Sequence, residues 1–300
     1  MKKLKCTSVG YVIRKMLVFG VLYVLATILQ QVLLIGSFFL MGYQPMEGNL
    51  PAETVQTIAM YYGFVVFALS AIVYCKCVEK RSVQSMGLNR HVVDYLLGAL
   101  LACVLLVVIL GICYGAGGIS LRDGVFLQDG GVWSYLLALL GGFMVQGFAE
   151  EVMCRGFLMT SLMKKVSVPA AIFLSASAFA FPHFTNLFSS EGRYAFVGIV
   201  NLYLISAIFS FLMLWRGNIW VSCGLHSIWN FLLNGMFGLS VSGNEAEVSG
   251  IICFFAGESS IINGGSYGIE SSIVTTLILG VAAVVIYQFW KKDRRNEHGF

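Results

Sequence analysis

Glu150 and Glu151 stand side by side in an apolar run, with Arg155 four residues further on, in the stretch "AEEVMCRGF" at 149–157. An ionised side chain at mid-bilayer costs about 3 kcal/mol on insertion scales, so those that persist face a protein interior or a water-filled cavity. On a helix, Glu151 and Arg155 are i and i+4 with the acid first, the favourable order for an ion pair. Glu150 lies about 100° round the helix from Glu151. It has no basic residue at i+3 or i+4, so it needs a partner from another helix. Two histidines fall inside other apolar runs: His183 closes Phe179-Ala-Phe-Pro-His183, and His226 opens His226-Ser-Ile-Trp-Asn230. His226 and Asn230 share one helix face, a turn apart. If these faces converge on Glu150, a carboxylate, two imidazoles and an amide meet. That set can deprotonate a water and stabilise an oxyanion on an attacked carbonyl. Each piece also has a plainer use. Glu-Glu-Arg can be a structural ion pair or a transport coupling site. His183 can be a hydrogen-bonded helix-end residue, and His226 with Asn230 can hydrogen-bond between helices.

The elements that must position these groups follow from composition. The 300 residues are 58% hydrophobic and only 11% charged, with a mean hydropathy of +0.83. A soluble chain carries about 25% charged residues, so this composition makes a polytopic membrane protein. The net charge of +4 comes from basic residues spread over loops and ends, which excludes a nucleic-acid surface. The eight cysteines show no CxxC pairing and no zinc-ribbon spacing. There is no dinucleotide fingerprint, no P-loop, no soluble domain and no internal repeat. Gly111 and Gly115 form a GxxxG match that reads as ordinary close packing.

Eight apolar runs are long enough to span about 30 Å of hydrocarbon: 16–41, 57–75, 94–115, 132–163, 166–187, 194–215, 219–239 and 272–290. They must be helices, because the backbone satisfies its own hydrogen bonds in lipid. With both termini cytoplasmic, the inner side holds Lys2, Lys3, Lys5, Arg14, Lys15, Lys76, Lys80, Arg81, Arg90, Lys164, Lys165, Arg216, Lys291, Lys292, Arg294 and Arg295. The outer loops hold only Arg122 and Arg193, beside acids such as Glu47, Glu53, Asp123, Asp129, Glu191, Glu245, Glu247, Glu258 and Glu270. That asymmetry follows the positive-inside rule. The expectation is an all-α polytopic membrane protein of about eight transmembrane helices, divided into helices 1–3 (1–131), a core of helices 4–7 (132–239), and an outer loop, last helix and basic tail (240–300). A straight fifth helix carries His183, 14 residues past Pro169, toward the outer side at about 1.5 Å per residue. A kink at Pro182, or a fifth helix that starts deep in the membrane, would bring it level with the other groups.

The three pieces in this order, "EEVMCR" at 150–155, "FAFPH" at 179–183 and "HSIWN" at 226–230, resemble the CPBP family. These are membrane-embedded proteases related to the CAAX prenyl endopeptidases, with bacterial members linked to bacteriocin immunity and peptide processing. The resemblance covers roughly 132–239. It implies an intramembrane endopeptidase acting on a membrane-associated peptide or protein within the lipid bilayer, in a plasma membrane that the compact loops suggest is bacterial. Glu150 resembles the glutamate that activates the attacking water, and His183 would assist it or share a metal. His226 and Asn230 would polarise the scissile carbonyl and stabilise its oxyanion. Glu151 and Arg155 would hold the motif helix, with Phe179 part of the supporting motif. Glu150, His183 and His226 match the ligand count of a His₂Glu catalytic zinc, but a metal-free glutamate–water mechanism fits the residues equally well. The rival readings are a non-catalytic scaffold or immunity factor of the same fold, and an ion-coupled transporter, which often shows inverted repeats.

Overall fold

Apolar segments in lipid must close their backbone hydrogen bonds internally, and this chain does so almost entirely with helices. The computed structural model describes residues 8–89, 91, 93–122, 131–246 and 251–297, with backbone alone at 122, 131 and 295–297. The elements are α1 (Ser8–Leu40), α2 (Glu53–Gly63) running on into α3 (Val65–Cys77), α4 (Asp94–Gly115), and α5 (Gly131–Glu151), which continues through a π-helical stretch (Val152–Met159) into α6 (Thr160–Leu162). There follow α7 (Val168–Ala180), α8 (Phe184–Phe188), α9 (Gly192–Arg216), α10 (Trp220–Phe231) with its own π-helical end (Leu232–Met236), and α11 (Ile273–Glu297). Among the described residues, seven helices are long and apolar enough to cross a membrane.

The stretch 219–239, expected as an eighth, is helical too, from Trp220 to Met236. It forms a 12-residue α10 and a 5-residue π turn. Nine of the twelve α10 residues are buried, from Val221 to Asn230. A helix enclosed by other helices need not match the hydrocarbon thickness, and α10 is wrapped by α4, α5 and α9. The connections after α4 and before α11 also carry structure that the sequence does not announce. Ile119–Arg122 pairs antiparallel with Cys253–Ala256, Ile119 opposite Ala256. Four-residue strands are too short to show a period.

The inner-side cations of the charge reading gather at one end of the bundle. Lys15 Nζ lies 2.5 Å, Arg81 Nη1 3.1 Å and Lys164 Nζ 3.4 Å from the Glu79 carboxylate. Burial pushes the Glu79 carboxyl up, but hydrogen bonds from Lys15 and Arg81 outweigh it and hold it at about 2. Arg216 Nη2 pairs with Asp94 Oδ1 at 2.8 Å, and Ile219 N donates to Gly87 O at 3.2 Å. Lys2, Lys3, Lys5, Arg90, Asp123, Asp129 and Glu247 lie outside the described residues.

Close approach to α10 depends on glycine. A Cβ on Gly98 would sit 2.0 Å from Val221 O, and one on Gly224 would sit 2.0 Å from Tyr95 O, so α4 and α10 lie backbone to backbone. On the other flank, a Cβ on Gly147 of α5 would meet Ser227 Oγ at 2.5 Å. Small residues that admit this proximity are the usual currency of helix packing in membranes. The GxxxG glycines differ from their expected role: nothing lies within 4 Å of a Cβ on Gly111 or Gly115. Gly224→Ala should therefore destabilise the solubilised full chain by about 1–3 kcal/mol, read as a lowered melting midpoint. Gly111→Ala should leave the midpoint unchanged or slightly raised. Equal effects at the two positions would contradict the packing described.

Candidate active site

The motif helix places its charges by changing its own pitch. α5 ends at Glu151, and the chain then turns π from Val152 to Met159. Such i→i+5 turns are uncommon and concentrate at functional sites. Every residue of the π stretch is buried. Glu151 and Arg155 are both 0% exposed, and Arg155 Nη1 donates to Glu151 Oε1 at 2.9 Å. Arg155 Nη2 donates to Ser206 Oγ at 2.6 Å and to Ser206 O at 3.2 Å, from α9. Its guanidinium lies between the rings of Phe179 and Phe209, 4.7 and 4.9 Å from their centroids. Desolvated cation–π contacts of this kind are worth about 2 kcal/mol.

The same Glu151 oxygen holds His226, whose Nδ1 lies 3.1 Å away. A carboxylate oxygen can only accept here, so Nδ1 carries the proton and donates. The imidazole stacks on Phe209 at 5.1 Å and 17°, and meets Phe179 edge-on at 5.8 Å and 80°. Its other nitrogen, Nε2, is 3.8 Å from Glu150 Oε2. That is beyond hydrogen-bond reach, yet close enough for one water lying to the side to bond both atoms. Glu150 keeps 19% of its side chain exposed and accepts a hydrogen bond from Gln146 Nε2 at 3.1 Å. Asn230 Nδ2 donates to Gln146 Oε1 at 3.1 Å.

His183 lies where the fifth span tightens to a 3₁₀ turn at Pro182. α7 stops at Ala180, a 3₁₀ turn covers Phe181–His183, and α8 begins at Phe184. His183 Nδ1 lies 3.0 Å from Phe179 O. A carbonyl only accepts, so Nδ1 donates and Nε2 is left for chemistry. Glu150 and His183 line a cavity of about 690 Å³, while His226 and Asn230 line an adjoining one of about 40 Å³, large enough for a water. Phe179 and His183 border both.

The predicted residues thus come to one place, with three differences from the sequence reading. His226 is bonded to Glu151, so the ion pair also orients the imidazole. Asn230 touches Glu150 only through Gln146. Glu150 finds its hydrogen bond on its own helix, from a glutamine at i−4. Gln146 had a legible signal, since it lies on the face of Glu150; Ser206 and Phe209 had none, because α9 carries no motif. A zinc site is poorly served by this donor set. Catalytic zinc takes three protein ligands, and among the described residues no three of His, Cys, Asp and Glu group around one point. Glu150 and His226 supply two.

A helical, polytopic membrane protein with an acid, two imidazoles and two amides along two adjoining cavities is the class that these observations define. Residues 132–232 match the family described as type II CAAX prenyl endopeptidase Rce1-like. The matched third of the chain runs from α5 through α10 and contains every motif residue, and it supports recognition of the CPBP family, one of intramembrane endopeptidases. A comparison with curated proteins found no match.

The buried pair fixes one prediction. Arg155→Met leaves Glu151 charged and uncompensated, which costs about 3–5 kcal/mol. Glu150→Gln, at a partly exposed site, should shift stability by less than about 1 kcal/mol. Melting of both variants in detergent tests this; a stable Arg155→Met protein would contradict it.

Proposed function

We propose that the protein hydrolyses a peptide bond of a membrane-associated peptide or protein, in a bacterial plasma membrane. The observation that carries the reading is Glu150, an acid lining a cavity of about 690 Å³ with an oriented imidazole 3.8 Å from it. Glu150 takes a proton from a water, and the water oxygen adds to the scissile carbonyl carbon. His226 holds Nδ1–H against Glu151, and once Nε2 also takes up a proton, Nε2–H is donated to the developing oxyanion. The second N–H of the Asn230 amide, beyond the one given to Gln146, is available to the same oxygen. Glu150 then returns its proton to the amide nitrogen, the C–N bond breaks, and a carboxylic acid and an amine leave. His183, which lines both cavities, assists the proton transfer through Nε2. Glu151 and Arg155 act through His226, as positioning residues.

No step in this scheme passes through a metal. The full chain in liposomes, assayed on membrane-bound peptides, should lose about 10²–10⁴-fold of its cleavage rate in Glu150→Gln or His226→Ala. Prolonged chelation should leave the wild-type rate within about twofold, whereas loss on chelation with recovery on added zinc would overturn the metal-free scheme. Unchanged cleavage in Glu150→Gln would remove the enzyme reading. Full biological activity in that variant without any cleavage would favour the scaffold instead.

A further inference from the structure

Asn234 is a polar side chain that the chemistry above leaves unused. It is 7% exposed, lines the large cavity together with Glu150 and His183, and makes no side-chain hydrogen bond among the described residues. It sits in the π turn Leu232–Met236, four residues past Asn230. Asn230 lines the small cavity and Asn234 the large one. A buried amide without a protein partner is costly unless something else satisfies it, and a peptide backbone offers both the donor and the acceptor an amide needs.

The charge around that amide has one sign. Among the described residues, the cavity is lined by Glu53, Glu150 and Glu245, and by no lysine or arginine. Glu53 opens α2 and Glu245 follows the turn Val241–Asn244; both are exposed and neither is in an ion pair among the described residues. Elsewhere the lining is aromatic, with Phe19, Phe64 and Phe67. A peptide ending in a free carboxylate, as a C-terminal CaaX segment does, would bring a fourth negative group into this space, and like charges at short range repel.

Resting on the protease reading, we propose that the cavity receives an amphipathic peptide bearing a cation near the cleaved bond. Asn234 hydrogen-bonds the peptide backbone, Glu53 and Glu245 hold the cationic group, and the aromatic wall takes the apolar residues. The cation is an ammonium or guanidinium, from a lysine or arginine side chain or from the peptide's own N-terminus.

The test uses the full chain carrying Glu150→Gln in nanodiscs and three fluorescent peptides of one apolar sequence. The first is N-acetylated with one lysine, the second N-acetylated with glutamate in its place, and the third has glutamine there and a free N-terminus. At low salt the lysine peptide, the free-amine peptide or both should bind about tenfold tighter than the glutamate peptide. The one that does so identifies the source of the cation. Adding Glu53→Gln and Glu245→Gln should reduce the preference to less than about twofold. Asn234→Leu should weaken all three peptides by a similar factor while leaving the charge preference in place. Equal binding of the three, a preference that survives both glutamine substitutions, unchanged binding in Asn234→Leu, or no saturable binding would each overturn the proposal. Cleavage by the wild-type chain is scored separately: a charge preference without cleavage sinks only the protease reading, and cleavage without a preference sinks only this one.

Discussion

A charge buried in a membrane protein must be paired, and the pair Glu151–Arg155 is where the rest of this structure is anchored. Both side chains are fully enclosed, and Arg155 is held by the Glu151 carboxylate, by Ser206 and by two aromatic rings. The contacts come from α5 and its π extension, α7 and α9, so one guanidinium ties three helices together. Through the same oxygen, Oε1, Glu151 also meets His226 of α10. An ion pair that could have served packing alone thereby fixes which nitrogen of an imidazole faces the cavity. Removing either charge would strand the other in a low-dielectric interior, the costliest kind of substitution.

Regular helices alone would not align these groups. The motif helix turns π immediately after Glu151, α10 turns π after Phe231, and the fifth span breaks at Pro182 into a 3₁₀ turn. The last of these carries His183 to the cavity that Glu150 lines. Each irregularity gives up regular backbone hydrogen bonds, and His183 restores one of the freed carbonyls with its own Nδ1–H. The glycines of α4 and α5 act on the same problem from outside, letting α10 come close enough that His226 reaches Glu151.

Much of this was legible in the sequence, for a physical reason. Charged and imidazole side chains are so unfavourable in lipid that their few positions mark the interior of the bundle. Glu150, Glu151, Arg155, His183, His226 and Asn230 stand out in a chain with 11% charged residues, and helix spacing alone splits the two glutamates into different roles. The bend at Pro182 follows from the missing N–H. What the sequence could not convey depends on relations between distant helices. The stacking of Phe209, the hydroxyl of Ser206, and the meeting of Lys15, Arg81 and Lys164 at Glu79 leave no local pattern. The burial of α10 was not legible, because hydropathy cannot distinguish a helix shielded by protein from one that faces lipid. Gln146 at least lies on the helix face of Glu150, whereas Asn234 is a neutral amide that carries no cost large enough to flag it.

The orientation of His226 is the point on which the chemistry turns, and nitrogen-15 NMR of histidine-labelled protein in nanodiscs reads it directly, with His226 assigned by its loss in His226→Asn. The account predicts that Nδ1 of His226 stays protonated across neutral and mildly alkaline pH, because Glu151 accepts its proton in a hydrogen bond. A His226 ring whose neutral form carries its proton on Nε2, with a bare Nδ1, would contradict the Glu151 anchor and the catalytic geometry built on it.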